Sequence, residues 1–347
     1  MKTFFIVLII VATFVVINSI ISYIIASKIF NKVFSRQDFN ENHELLSYND
    51  IKDKYQRKEY SFKSGKNTLK AYLYGNLGQR GFIVYVHGLC PGHQGYLSDI
   101  TSLVDKGYQV FTYDFTATGA SDGKKFSGLD QQKKDLKACL KFLQESDEFK
   151  NYDIFLYGHS MGAYGVSACQ NASSKIKASV AISGYDKPYQ EVMSSISDPN
   201  KKFFHFISIY PVFIKLLIDS GFSFNTSASK VISKSNKPIL IIHGAKDETV
   251  PLDKISIYSK KDKIKNKNAS FLLMEDEYHN THNSVIASTE CVKYQRERME
   301  IFDSVYKETK SKADAYKALI DGIDRFKFNS ANEDLMETID KFYQSTK

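Results

Sequence analysis

Short apolar runs alternate with amphipathic segments along the chain from about residue 58 onward. Several runs are apolar throughout, which is typical of parallel strands buried between two layers of helices. A pair of strands around a turn at residues 64–67 precedes them. The runs span residues 81–88, 108–115, 152–160, 177–184, 237–247 and 269–275. The pattern therefore predicts an α/β fold with a mostly parallel central sheet and helices on both faces.

A separate apolar stretch occupies the N-terminus. From Phe4 to Phe30 its only charged residue is Lys28, and as a helix it would be about 40 Å long, enough to cross a bilayer core. The stretch is longer than the apolar region of a signal peptide, and no convincing cleavage site follows it. We therefore predict a single-pass transmembrane anchor over residues 1–30, with a cleaved signal peptide as the alternative.

The charges that flank this stretch bear on its orientation. Lys2 and the amino terminus lie on one side, and Lys28, Lys32 and Arg36 lie on the other. By the positive-inside rule, this small difference leans slightly toward a cytoplasmic body.

Two further segments depart from the alternating pattern. Residues 31–57 are polar and mixed, which predicts a stalk or linker before the main domain at 58–347. Residues before about Arg36 are therefore expected to be dispensable for folding.

At about 185–236 the alternation is interrupted by a helical, strongly apolar segment that contains Pro211. Because long insertions between sheet strands are usually functional, we expect a cap over the site. The alternative is a helical excursion that packs its own apolar face on the body.

Composition narrows the possible partners. Of the 347 residues, 43% are hydrophobic and 25% are charged, as in an ordinary globular protein. The net charge of +8 comes mostly from lysine, since only six of the 47 basic residues are arginine. Without an arginine-rich stripe, we expect no nucleic-acid partner. The four cysteines lack metal-ligand spacing and no phosphate loop occurs, so no metal and no cofactor are predicted. The oligomeric state stays open.

The stretch 155–165, FLYGHSMGAYG, has a serine between two glycines directly after an apolar run. Its G-x-S-x-G pattern at 158–162 is typical of a strand-to-helix turn so tight that neighbouring side chains must be absent. Such a turn would strain Ser160 and place its hydroxyl outside the sheet, beside the N-terminus of the next helix. His87, Ser160 and Asp247 all fall at carboxyl ends of predicted strands, where chemistry collects in parallel sheets. This placement favours a functional serine over an idle one.

Five motifs in order resemble the α/β-hydrolase superfamily, from about Lys58 to the C-terminus. They are VHGLCPGH, YDFTATGASDG, GHSMGAYG, HGAKDETVP and a late histidine loop, EDEYHNTHNSV. Within the superfamily, YDFTATGASDG, THNSV and the closing helix resemble a group of little-characterised bacterial serine hydrolases that are esterase-like or lipase-like. The resemblance implies the α/β-hydrolase fold, to which this chain adds the helical cap insertion and the N-terminal transmembrane helix.

The resemblance also implies a catalytic triad in the chain order Ser, Asp, His. Ser160 would be the nucleophile, and Asp247, after LIIHGAK, stands where the family carries its acid; Glu248 is one residue past that position. His279 and His282 lie at similar intervals from Asp247, so spacing leaves the base open. HNSV resembles the group's histidine motif and lies at a loop-to-helix junction, which favours His282.

By family position, the backbone N–H groups of Leu89 and Met161 would form the oxyanion hole. Three other histidines, His87, His159 and His243, are expected to be structural.

Together these features imply a membrane-anchored serine hydrolase that cleaves carboxylic esters through an acyl-enzyme. The implied partners are a small-molecule or lipid-like acyl ester and the membrane. Apolar area for the acyl chain would come from Phe203, Phe204, Phe206 and Phe213 of the expected cap. One alternative is a serine peptidase of the prolyl-oligopeptidase type, for whose accessory domain this chain has no room. The other is a non-catalytic relative that uses the fold for binding.

Overall fold

The computed structural model describes residues 2–40, 44–76, 80–195 and 202–347, with the side chains of residues 2 and 202–209 outside the description. The strands are β1 (Arg57–Ser64), β2 (Asn67–Tyr74), β3 (Gly81–Val86), β4 (Tyr108–Tyr113), β5 (Ile154–His159), β6 (Ile176–Ile182), β7 (Ile239–Gly244) and β8 (Ala269–Met274). Within the described residues they form one sheet in the order β1-β2-β4-β3-β5-β6-β7-β8. β2 is antiparallel to both neighbours, and the strands from β4 to β8 in this order are parallel. The predicted mostly parallel sheet is confirmed.

Helices cover both faces of this sheet. They are α1 (Lys2–Val33), α2 (Tyr48–Ile51), α3 (Leu97–Asp105), α4 (Gln131–Glu145), α5 (Met161–Ala168), α6 (Pro188–Ser195), α7 (Lys202–Ser220), α8 (Ala228–Ser233), α9 (Thr289–Thr309), α10 (Lys312–Ile320), α11 (Arg325–Phe328) and α12 (Glu333–Gln344). Leu140 of α4 and Val166 of α5 lie in the core on one face, and Ile100 of α3 and Ile339 of α12 lie in the core on the other. Central strands such as β4 and β5 are buried at every residue, which explains why their runs are apolar throughout.

Between β6 and β7 the chain leaves the sheet and forms α6, α7, a 3₁₀ turn at Gly221–Asn225 and α8. This helical segment falls within the expected cap at 185–236. Its apolar face packs into the core that contains α4 and α5, where Val192, Leu216 and Phe224 are buried. The cap is therefore anchored on the same face of the sheet as α5.

Of the four phenylalanines predicted to line an acyl pocket, Phe213 has a described side chain. Its ring centroid lies 5.2 Å from that of Phe224 and 5.9 Å from that of Tyr189. Phe213 is therefore part of the internal packing of the cap. The other three, whose side chains lie outside the described residues, are Phe203, Phe204 and Phe206.

α1 is long and apolar, and its two ends have different surroundings. Thr3–Val33 is long and apolar enough to cross a membrane, a property that anchors and signal sequences share. Near its C-terminal end, Ala26 and Phe30 are buried in the same core as the cap, as is Phe34 just beyond it. α1 packs against α7, and the Phe34 ring centroid lies 5.2 Å from that of Phe126. The end of α1 thus belongs to the packed body.

The residues after α1 are tied to one loop of the body. The Gln37 N–H donates to the Ala117 carbonyl at 2.9 Å, and the Gly119 N–H donates to the Gln37 carbonyl at 3.0 Å. The Arg36 guanidinium donates to the Ser121 carbonyl at 2.7 Å. We call these contacts the Arg36 clamp. Together with the buried phenylalanines, the clamp argues against the expectation that residues before Arg36 are independent of the fold.

Part of the segment predicted as a stalk, residues 31–57, also packs on the body. Leu46 and Ile51 are buried in the core beneath α3 and α12. The division into an anchor at 1–30, a stalk at 31–57 and a main domain at 58–347 stays a prediction.

Candidate active site

β5 and α5 meet at a single residue, Ser160. The strand ends at His159 and the helix begins at Met161, and Ser160 between them has φ 55° and ψ −120°. A positive φ is rare for a residue with a Cβ, and it stores strain of about 1–3 kcal/mol. The turn therefore has the strained serine that the G-x-S-x-G motif predicts.

Close backbone contacts require the two glycines of this motif. A Cβ on Gly162 would overlap the main-chain oxygen of Val86, and a Cβ on Gly158 would overlap that of Gly162. Because backbone atoms of β3, β5 and α5 make these contacts, no side chain can rotate away to relieve them. The glycines let α5 approach the sheet closely enough to hold Ser160 at its edge.

The structure brings together the three residues that the sequence analysis assigned to catalysis. His282 Nε2 lies 2.9 Å from Ser160 Oγ, and His282 Nδ1 lies 2.8 Å from Asp247 Oδ2. Ser160 follows β5, Asp247 follows β7 and His282 follows β8, so all three lie at the carboxyl edge of the sheet. With the Nδ1–H donating to the carboxylate, Nε2 can accept the proton of the serine hydroxyl.

Asp247 is buried and hydrogen-bonded through both oxygens. Oδ1 accepts from the N–H groups of Thr249 and Val250 at 3.0 and 2.7 Å, and Oδ2 accepts from His282. Burial by itself would raise the pKa of Asp247, but His282 and the Val250 N–H lower it below its usual value. The ionised carboxylate can therefore stabilise a positive charge on His282. Glu248, the neighbouring acid, is exposed.

His159 and Tyr96 hold the loop that carries His282. His159 Nε2 lies 3.0 Å from the main-chain oxygen of His282, and His159 Nδ1 lies 2.8 Å from the Tyr96 hydroxyl. Burial lowers the pKa of His159 to about 3, so the ring is neutral: Nε2–H donates to the carbonyl and Nδ1 accepts from the tyrosine. No local motif in the sequence marks Tyr96 as part of the site.

Leu89 and Met161 line the same cavity as Ser160. Within the described residues neither N–H donates a main-chain hydrogen bond. Leu89 lies in the loop after β3, and Met161 opens α5, where the first N–H groups have no acceptor inside the helix. Two such N–H groups beside a nucleophile can stabilise the negative oxygen of a tetrahedral intermediate.

A cavity of about 250 Å³ lies beside Ser160 and His282. Tyr185 and Glu191 contribute to its wall from the segment between β6 and β7. A second cavity of about 370 Å³ shares Leu89, Tyr96 and Asn283 with the first. Glu191 has no sequence signal for the site, because only the fold of the cap places it near the serine.

The other histidines considered from the sequence have local partners. His279 Nδ1 lies 2.8 Å from Asp276 Oδ1. His243 Nε2 lies 2.9 Å from the main-chain oxygen of Val250 and 3.4 Å from Asp247 Oδ2. His87 Nδ1 lies 2.8 Å from the main-chain oxygen of the next residue, Gly88. In the part of the chain that the structure describes, no group of three or more His, Cys, Asp or Glu side chains is arranged to hold a metal ion.

Comparisons with known proteins agree with this fold. A family model described as serine aminopeptidase, S33, matches residues 78–209, which is less than half of the chain. The esterase Pf2001 of Pyrococcus furiosus superposes with a TM-score of 0.54 at 20% identity, covering 72% of this chain and 90% of the esterase. Together with the strand order, these matches show that the chain has the α/β-hydrolase fold. A second crystal form of that esterase superposes on this chain with a TM-score of 0.53 at 20% identity, covering 73% and 90% of the two chains.

One relative of this chain is a bacterial protein. The uncharacterized protein YqkD of Bacillus subtilis (strain 168) is 26% identical over 186 residues. The match covers 52% of this chain and 59% of YqkD, so it spans less than two thirds of the relative.

Proposed function

We propose that this α/β-hydrolase is a membrane-anchored serine hydrolase that cleaves carboxylic esters through an acyl-enzyme on Ser160. The observation that carries the proposal is the line of hydrogen bonds from Ser160 Oγ to His282 at 2.9 Å and on to Asp247 at 2.8 Å. A strained serine, a base within hydrogen-bond reach and an ionised carboxylate behind the base are the parts of an activated nucleophile.

In the proposed reaction, Ser160 Oγ attacks the acyl carbon while His282 Nε2 takes the serine proton. The negative carbonyl oxygen is stabilised by the N–H groups of Leu89 and Met161. His282 then gives the proton to the departing alcohol, which leaves the acyl group on Ser160. Water repeats the sequence, with His282 again as base and then as acid, and releases the carboxylic acid.

The size of the cavity supports a small acyl group. At about 250 Å³ it is smaller than the roughly 300–1,000 Å³ of pockets that enclose drug-sized ligands. The larger neighbouring cavity lies beyond Leu89 and Tyr96 and offers space for the departing alcohol. Residues of the cap contribute to the smaller cavity, which supports a role for the cap in substrate choice.

The packing of α1 supports an uncleaved anchor over a signal peptide. Cleavage by a signal peptidase after α1 would remove Phe30 or Phe34 from the protein. The core around Phe126, against which these rings pack, would then be exposed. Most of the residues from Phe4 to Val16 are more than half exposed, as expected of a surface that faces lipid. We propose that α1 is the anchor and that the small charge difference places the body on the cytoplasmic side.

A peptidase is the second candidate, because the matching family model is described as a serine aminopeptidase. The same triad can cleave an amide, but the amine must be protonated before it can leave. Paired substrates that share one acyl group, p-nitrophenyl esters and p-nitroanilides, separate the two activities. An anilide rate comparable with the ester rate would favour the peptidase.

Ser160 is tested with a fluorophosphonate probe, which reacts with activated serines. The probe should label the wild-type protein and should not label Ser160→Ala. Ser167→Ala is the matched control, since Ser167 is a buried serine on the same helix outside the cavity, and this variant should label normally. Equal labelling of wild type and Ser160→Ala, with no ester hydrolysis, would instead support a non-catalytic binding protein.

A further inference from the structure

The cavity beside Ser160 contains a buried carboxyl group that the proposed reaction does not use. Glu191 lies on α6 and is 6% exposed, and it lines the same cavity as Ser160 and His282. Much of the remaining wall is apolar, including Leu129, Met161 and Val250. The environment is therefore one in which a carboxylate is poorly solvated.

One oxygen of the Glu191 carboxylate lacks the hydrogen bond that buried carboxylate oxygens normally accept. Its Oε2 atom is buried and has no hydrogen-bond partner among the described residues. The Ser195 hydroxyl donates to the main-chain oxygen of Glu191 at 3.0 Å, and its hydrogen bond to the carboxyl group lowers the pKa of Glu191 only in part. By contrast, Asp247 accepts hydrogen bonds at both of its oxygens. Leaving a buried acceptor without a partner destabilises the folded protein, so such groups commonly have a role in function.

The electrostatics of the cavity disfavour the ionised form of Glu191. Burial and the negative charge of Asp247 raise the pKa of Glu191 to about 7, against a lowering effect of the Ser195 hydroxyl. A positive charge placed against Glu191 would favour its ionised form. A purely alkyl acyl chain would not.

We infer that Glu191 selects acyl groups that carry a protonated amine, which binds the carboxylate while Ser160 attacks the carbonyl carbon. The inference rests on the proposed ester hydrolysis at Ser160 and narrows its substrate class to esters of amino acids. Glu191 is in this role a specificity residue, since the bonds that break and form remain those at Ser160 and His282.

Pairs of methyl esters test this inference. Within each pair, one ester carries an ammonium group where the other carries a methyl group. The pairs are glycine and propionate, β-alanine and butyrate, and 4-aminobutyrate and pentanoate. The readout is the ratio of kcat/KM within each pair at about pH 7.5, where the amines of the β-alanine and 4-aminobutyrate esters are largely protonated and the α-amine of the glycine ester is about half protonated. For at least one pair the wild-type protein should favour the amine ester about tenfold to a hundredfold, as expected for a charge-assisted hydrogen bond.

Glu191→Leu should reverse this ratio, since the amine then loses its partner and the alkyl chain gains an apolar wall. Glu248→Gln is the matched control, because Glu248 is an exposed carboxylate next to the site, and it should keep the wild-type ratio. A wild-type ratio near one in all three pairs, or a preference that survives in Glu191→Leu, overturns the inference.

A binding measurement separates this inference from the proposed function. The inactive Ser160→Ala protein is titrated calorimetrically with the same pairs, and it should bind the amine ester more tightly unless Glu191→Leu is also present. If the wild-type protein cleaves no ester but this preference is seen, the proposed hydrolysis fails and the amine site stands. If esters are cleaved but Ser160→Ala binds both members of each pair equally, the hydrolysis stands and the amine site fails.

Discussion

At the scale of single residues, His279 and His282 show how finely position decides a role. They lie on one loop after β8, yet only His282 contacts Ser160 and Asp247. His279 instead contacts the partly exposed Asp276 and the hydroxyl of Thr289. The main-chain oxygen of His282 is itself held by His159, so the orientation of the base depends on a residue within the elbow.

A comparison of His282→Ala with His279→Ala measures this difference. Without His282 the serine keeps its proton and the departing alcohol has no proton donor, so turnover of a short-chain ester should fall on the order of 10³-fold or more. His279→Ala should cost about tenfold or less, by loosening the loop. Steady-state kinetics on both variants with one substrate is the measurement. An inactive His279→Ala beside an active His282→Ala would move the base, and two active variants would refute the triad.

At the scale of elements, the elbow between β5 and α5 depends on backbone contacts more than on side chains. The helix approaches β3 so closely that Gly162 lies against the carbonyl of Val86. The strain at Ser160 persists because this contact and the strand pairing on both sides of β5 leave no room for relaxation.

Gly162→Ala should therefore destabilise the protein far more than an ordinary glycine substitution. We expect a loss of about 3 kcal/mol or more, since the added methyl group overlaps fixed backbone atoms. The matched control is Gly65→Ala in the turn between β1 and β2, where φ is +57° and nothing lies within 4 Å of the new Cβ. There only the left-handed conformation is penalised, by about 1–2 kcal/mol. Urea unfolding gives both values, and equal midpoints for the two variants would contradict this account of the elbow.

The elements that could be predicted from sequence are those whose signal is local. The strands from β3 to β8 follow apolar runs bounded by turns, and β1 and β2 flank a turn. Ser160 is marked by two glycines that close contacts require. Glu191 and Tyr96 have no such signal, because each reaches the site only through the packing of segments distant in sequence. Phe213 was expected to line the acyl pocket and instead packs on Tyr189 and Phe224. An apolar pattern predicts that a side chain is buried, but it does not identify the residues against which that side chain packs.

At the scale of the whole molecule, the N-terminal helix also shows that an apolar pattern does not identify the partners of a buried side chain. Its length and apolar character predict a membrane span, and nothing in that pattern distinguishes its free end from its packed end. The burial of Phe30 and Phe34 depends on α7 and on the loop that contains Phe126. The boundary between the exposed and the packed part of the N-terminal segment therefore lies inside α1, earlier than composition suggests.

Two truncations locate that boundary. A protein that starts at Ile25 should be released from membranes and should keep its activity, because most of the residues removed are exposed and none of those described is buried. A protein that starts at Asp38 loses Phe30, Phe34 and the Arg36 clamp, and it should be less stable by about 3–6 kcal/mol from the two phenylalanines alone. Urea unfolding of both soluble proteins is the measurement. Identical unfolding midpoints would show that the packed end of α1 contributes nothing to stability.

The Arg36 clamp has a consequence for how the enzyme meets its substrates. A flexible linker would let the body swivel about its anchor, whereas backbone hydrogen bonds at Gln37 and packing of α1 on α7 allow no such rotation. With α1 in a bilayer, the orientation of the body and of its cavity is fixed relative to the helix axis. Tyr210 and Ile218 of α7, the helix that packs on α1, are exposed apolar side chains of the body. For the membrane-anchored hydrolase that we propose, diffusion would be confined to two dimensions and substrates would approach Ser160 from a fixed side of the body.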